Sequence, residues 1–159
     1  MKRKELIKVV NQRITKIDKV FKHTVKEFSS SGIHKFRLEV KKLRSFITLV
    51  TSVDHKTAHL ALPGHLRNIY AALGEIRNLQ LQQRRIDELP AVQHSTVSES
   101  YSEFVSKRIG DSISEAKRLI GGKRLFRKGK SRLRSRIPPR INPGKIRKFI
   151  ARRLESRPT

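Results

Sequence analysis

Apolar residues recur along this chain at helical intervals. Over residues 4–28 they stand at Leu6, Val10, Ile14, Ile17, Phe21 and Phe28, which is one face of a helix. Ser29, Ser30, Ser31 and Gly32 then supply turn residues and an N-cap. A second helix is predicted over about 33–53, with Phe36, Val40, Leu43, Ile47 and Val50 on its apolar stripe. The pattern weakens from Asp54 and ends in Pro63-Gly64. Leu66, Ile69, Tyr70, Leu73 and Ile76 restore the period towards Leu89, and Pro90 stops this third helix. Thr96 and Glu99 have capping-box spacing. Val97, Tyr101, Val105, Ile109, Ile113, Ala116 and Ile120 predict a fourth helix, closed by Gly121-Gly122. No segment alternates apolar and polar residues over a strand's length, so no sheet is expected. The predicted fold is all-α: an antiparallel four-helix bundle over 1–122, then a C-terminal extension over 123–159. In the extension Asn142 and Pro143 read as N-cap and first residue of one short helix.

Charge sharpens this picture. The chain has 159 residues, enough for one domain with a real core. Its 38 Lys and Arg against 13 Asp and Glu give a formal net charge of +25, which repels itself unless a polyanion or salt screens it. The extension is extreme, with 15 Lys and Arg against the single acid Glu155. Its cations alternate with only Leu125, Phe126 and Leu133 over 123–136, so ordering there is expected to depend on a counter-charged ligand. Cysteine is absent, which excludes disulfides and thiolate metal sites. The basic start of the chain leads into no unbroken apolar run of the signal-peptide kind. No stretch approaches the roughly 20 apolar residues of a membrane span. A cytoplasmic protein without membrane insertion is the expectation.

The placement of the cations carries more than their number. At about 100° per residue, His34, Arg37, Lys41 and Arg44 fall within roughly 80° of one another, in a stripe that borders the apolar face of the second helix. Lys35, Glu39 and Lys42 occupy the face assigned to water. Arginine forks grip phosphate oxygens through two hydrogen bonds, lysine adds a point charge and histidine a donor, so the stripe suits a row of phosphates. The competing reading is a solvated basic face with His34 as a satisfied core histidine. On the third helix, Gly74 interrupts a helical pattern at a cost of roughly 1 kcal/mol against Ala, which points to close approach of a backbone or ligand. Arg67, Asn78 and Arg85 share one stripe beside it, and Arg77 and Arg84 make another. Here the competing reading is that Gly74 relieves helix packing and Arg77 pairs with Glu75 or Asp87.

His34-x-x-Arg37-x-x-x-Lys41-Lys42-x-Arg44, followed by Leu73-Gly74-x-x-Arg77-Asn78, resembles the CHAD family, the conserved histidine α-helical domain. The resemblance covers residues 4–122 and misses the extension. It implies an all-helical fold with a basic central surface that binds inorganic polyphosphate, often at polyphosphate granules. His34, Arg37, Lys41, Lys42 and Arg44 are then anion ligands, joined by Arg77. Asn78 replaces the acid usual after that arginine. Family members are about twice this length with two related bundles, and no second copy occurs here. One expectation is therefore that two chains associate as a homodimer to rebuild the two-fold arrangement.

Enzyme signatures are missing. There is no Glu-x-Glu-x-Lys strand of the triphosphatases that accompany some relatives, no Gly-x-Ser-x-Gly elbow, and no Walker loop at Gly121-Gly122-Lys123. His55, His59 and His65 sit in a poorly periodic connection with only Asp54 nearby, a weak case for a metal. The sequence therefore points to a non-catalytic protein without cofactor or metal. Together with the resemblance, this implies binding of polyphosphate, or another phosphate-rich polyanion, and the residues expected to carry it are His34, Arg37, Lys41, Lys42, Arg44, Arg67, Arg77, Arg84 and Arg85. The alternative is sequence-nonspecific nucleic-acid binding through the basic extension.

Overall fold

A computed structural model describes residues 1–54, 59–89, 96–122, 125–126 and 129–155, with the side chains of 96–98 excepted. Six α-helices follow one another: α1 (Arg3–Glu27), α2 (Ser30–Val53), α3 (Gly64–Asp87), α4 (Thr96–Ile120), α5 (Gly129–Ser135) and α6 (Pro143–Glu155). The fold is an all-α antiparallel bundle. Among the described residues the sole extended pairing is an isolated bridge between Lys2 and Arg140.

The α1–α2 turn is tighter than its serines suggest. Phe28 ends α1 in the left-handed region at φ 50°, and Ser29 alone caps α2, its Oγ accepting from the Gly32 amide at 3.2 Å. Ser30, Ser31 and Gly32 are already helical. One reason is Thr24, whose Oγ1 donates to the carbonyls of Val20 and Gly32 and so staples the two helix ends together. A Cβ on Gly32 would meet Ser29 Oγ at 2.9 Å, so the cap itself selects glycine.

The helices pack as successive antiparallel neighbours. Arg13 of α1 pairs with Glu39 of α2 at 3.3 Å. Gln80 of α3 reaches the carbonyl of Phe28 at 2.8 Å. Gln83 of α3 bonds Ser102 and Ser106 of α4, while Glu75 accepts from Arg108 and Ser112 one and two turns farther along. The core is the set of stripes read from the sequence, with Leu6, Ile14, Ile17, Phe36, Leu43, Leu66, Leu73 and Ile76 fully buried.

Two expectations are corrected. Glu39 is not on a wet face: it is half-buried, holding Arg13 of α1 and Lys42 of its own helix, because the α1 contact extends past the apolar stripe. Tyr101 does not join the core: it is 48% exposed and stacks on Phe104, itself 58% exposed, with ring centroids 6.4 Å apart. Helical spacing marks the face of α4, but α3 covers only part of it. Pro90 lies outside the described residues.

The extension contains two helices where one was expected, and it is not separate from the bundle. Leu125, Phe126, Leu133, Ile137 and Ile141 are all buried in the common core. α5 lies against α1, fixed by Arg134 Nε to Asn11 Oδ1 at 2.8 Å, and α6 lies against α2. Residues 139–141 pair with the start of the chain, where the Arg3 amide donates to the Pro139 carbonyl at 2.9 Å and Ile141 to Met1 at 3.0 Å. Asn142 caps α6 as its sequence indicates, accepting from the Gly144 amide at 2.8 Å. Sparse apolar residues thus suffice to seat the extension, since these five are buried against the core of the bundle.

The hydrogen bond from Lys42 holds the Glu39 carboxyl below its ordinary value, with Arg13 adding to the effect against the opposing pull of burial. A lowered folded pKa stabilises the fold above the ordinary carboxylate range, and that contribution is lost as pH falls through the range. Glu39→Gln is expected to cost about 1 kcal/mol at neutral pH, after discount for the half-exposed cations. The cost should vanish well below the carboxylate range. Chemical denaturation at the two pH values checks this, and an equal loss at both would contradict it.

Candidate anion-binding site

The contact between α2 and α3 is organised around an absent side chain. Gly74 is buried on α3, and a Cβ there would lie 2.1 Å from Nη1 of Arg37 and 2.9 Å from its Cζ. The guanidinium of Arg37 occupies the volume that any other residue at 74 would fill. From that seat Nη1 donates to the Tyr70 carbonyl at 2.7 Å, and Cζ stands 4.1 Å from the centroid of the Tyr70 ring. Arg44, two turns along α2, sets its guanidinium 4.9 Å from the same centroid. Both placements are cation–π contacts.

Antiparallel register extends this pair into a groove. Arg37 lies opposite Gly74 and Phe28 opposite Gln80, so His34 stands at the level of Arg77. His34 and Lys41 are exposed on α2, Arg77 is half-buried on α3, and Arg67 is exposed one turn before Tyr70. The α2 row from His34 to Arg44 runs roughly 15 Å along the helix axis. The satisfied-core reading of His34 does not hold, because the residue is exposed.

Acids are engaged elsewhere. Glu39 faces α1, Glu75 faces Arg108 of α4, and Asp87 and Glu88 accept from Gln83 and Arg84. Among the described residues none pairs with His34, Arg37, Lys41, Arg44 or Arg77. The competing reading, in which Arg77 pairs with Glu75 or Asp87, does not hold: Glu75 takes Arg108 on the α4 side of its helix, and Asp87 accepts from Gln83. Two guanidinium groups share one ring with no carboxylate between them. A partly desolvated charge left uncompensated is unfavourable, and an anion that supplies oxygens to it removes that penalty.

Three residues of the sequence-derived set stand apart. Lys42 is tied to Glu39 on the α1 flank. Arg84 pairs with Glu88, and it and Arg85 lie beyond the level where α2 begins, marked by the Gln80–Phe28 bond. Of the histidines weighed for a metal, His55 lies outside the described residues. Among the described residues no group of three His, Asp or Glu side chains is placed to hold a metal ion.

The groove is built from the same residues that carry the family motif, and the CHAD domain model matches residues 10–157. The chain belongs to the CHAD family. The match runs through the whole of α5 and α6, where the sequence motifs alone reach only to 122. That stretch includes Leu125, Phe126, Leu133, Ile137 and Ile141, which are buried in the common core of this chain. No curated protein and no solved structure matches the chain. Among the described residues no helix is long and apolar enough to cross a membrane.

Tyr70 is the site residue that the pattern concealed. It counts as one more apolar position of α3, yet its ring and carbonyl both serve Arg37. The available signal is its position four residues before Gly74, on the same helix face.

If Arg37 occupies the Gly74 notch, substitutions at the two positions are coupled. Gly74→Ala alone displaces the guanidinium and forfeits its hydrogen bond and ring contact, offsetting the roughly 1 kcal/mol gained in helix propensity. With Arg37→Ala already present, Gly74→Ala is expected to stabilise by about 1 kcal/mol. A double-mutant cycle by denaturation measures this, and identical effects in both backgrounds would remove Arg37 from the notch.

Proposed function

We propose that the α2–α3 groove binds inorganic polyphosphate without catalysis. The observation that carries this reading is the pair Arg37 and Arg44, held on one tyrosine ring with no carboxylate partner among the described residues. Arg37 is fixed by packing before any ligand arrives, so little side-chain entropy is lost when an oxyanion binds it. His34, Lys41 and Arg77 extend the cationic lining on both sides, which favours a linear polymer over a single compact anion. Membership of the CHAD family supports the same ligand class. The non-catalytic part rests on the lining: donors and cations face the groove, while the neighbouring acids are turned to other partners. Residence at polyphosphate granules follows if the ligand is the granule polymer.

Counterion release gives the binding its signature. Each neutralised phosphate frees condensed cations, so affinity falls steeply with salt. Lys41→Glu with Arg44→Glu is a cleaner test than reversal at Arg37, whose side chain also supports the helix contact. The pair is expected to lower affinity for long-chain polyphosphate at least tenfold at moderate salt and to flatten the salt dependence, with the melting temperature nearly unchanged. Parental binding by that double variant, in titrations at several salt concentrations, would place the ligand elsewhere.

The second reading, nucleic-acid binding through the extension, is favoured by the exposed cations of α6, including Lys145, Arg147, Lys148 and Arg152. Deleting 123–159 would strip residues from the core, so charge reversal on α6 is the informative variant. Arg147→Glu with Lys148→Glu is expected to weaken duplex DNA binding while leaving polyphosphate affinity within about threefold. Equal loss of both ligands would mean that α6 belongs to the polyphosphate site.

A further inference from the structure

A second concavity lies between the start of α3 and α5, with a volume of about 960 Å³. This is the size range of small-molecule sites. Two contacts fix its width. At one side a Cβ on Gly129 would come within 2.5 Å of Pro63, so only glycine lets α5 begin against the residue that precedes α3. At the other, Arg136 Nη1 donates to the His59 carbonyl at 2.6 Å.

The lining has two characters. Leu62, Leu125 and Leu133, buried in the common core, present an apolar floor together with Pro63. Arg67, Arg132 and Arg136 supply cations, and Ser131 and Ser135 supply hydroxyls. Among the described residues no Asp or Glu lines the cavity, and the guanidinium groups of Arg67 and Arg132 have no hydrogen-bond or ion-pair partner. His65 is in the same wall, and its Nε2 is buried without a partner. A buried polar atom left unpaired is unfavourable and is satisfied when a ligand brings a donor or acceptor to it.

We propose that this cavity binds a small phosphate ester whose organic part carries a ring, of the nucleoside monophosphate class. The phosphate sits against Arg67 and Arg132, the organic part covers the leucine floor, and a polar atom of that part answers His65 Nε2. The apolar floor is what separates this cavity from the α2–α3 groove, because polyphosphate has nothing with which to cover it. The inference does not depend on the polyphosphate reading.

Calorimetric titration of the full chain with adenosine 5′-monophosphate, adenosine and inorganic phosphate tests it. The monophosphate is expected to bind at least tenfold more tightly than either fragment. Arg132→Gln, which removes the cation, and Ala61→Trp, which fills the cavity from its exposed edge, should each reduce that affinity at least tenfold. Melting temperature and affinity for long-chain polyphosphate serve as controls, expected within a few degrees and about threefold of the parent. Binding of the monophosphate no tighter than that of phosphate, or unaltered by both variants, would overturn the proposal.

Discussion

The guanidinium of Arg37 seated on Gly74 is the contact on which the site depends. Helices ordinarily approach one another through apolar side chains, and a charged one at the seam needs both space and polar partners. Gly74 provides the space, the Tyr70 carbonyl accepts one N–H at 2.7 Å, and the Tyr70 ring receives the cation. The arrangement uses only part of what a guanidinium offers: five donors, of which one is bonded among the described residues. The remaining donors are what an oxyanion would take.

Charge segregation does the rest. With 38 cationic and 13 acidic side chains, acids are scarce, and where they fall decides where cations remain unpaired. The structure turns Glu39 towards α1 and Glu75 towards α4, so each outer flank of the α2–α3 pair is neutralised while its shared groove is not. Lys42 shows the same logic from the opposite side, because its proximity to Glu39 removes it from the cations that face α3. Sequence proximity to Lys41 and Arg44 therefore says less about its role than the helix face does.

Most of the fold is legible in the sequence because helical periodicity and punctuation agree. The stripes of α1 to α3 name the core almost residue for residue, and Ser29, Asn142 and Gly121-Gly122 mark boundaries through cap and turn chemistry. The extension is harder to read. Leu125, Phe126 and Leu133 are buried by tertiary contact with the bundle, which no local pattern encodes. Tyr101 fails in the other direction, since periodicity reports a face but not whether a neighbour covers it. At the site, the α2 stripe and the anomaly of Gly74 are both visible in the sequence. Their relation is not: that Arg37 fills the glycine notch is a property of α2–α3 register, which lies in tertiary packing.

Arginine side-chain NMR during titration with long-chain polyphosphate tests the central claim most directly. The Nε–Hε resonances of Arg37, Arg44 and Arg77 should shift first and together at substoichiometric ligand, while those of Arg147 and Arg152 on α6 stay in place. Early shifts confined to α6, with Arg37 and Arg44 unmoved, would contradict a binding groove between α2 and α3.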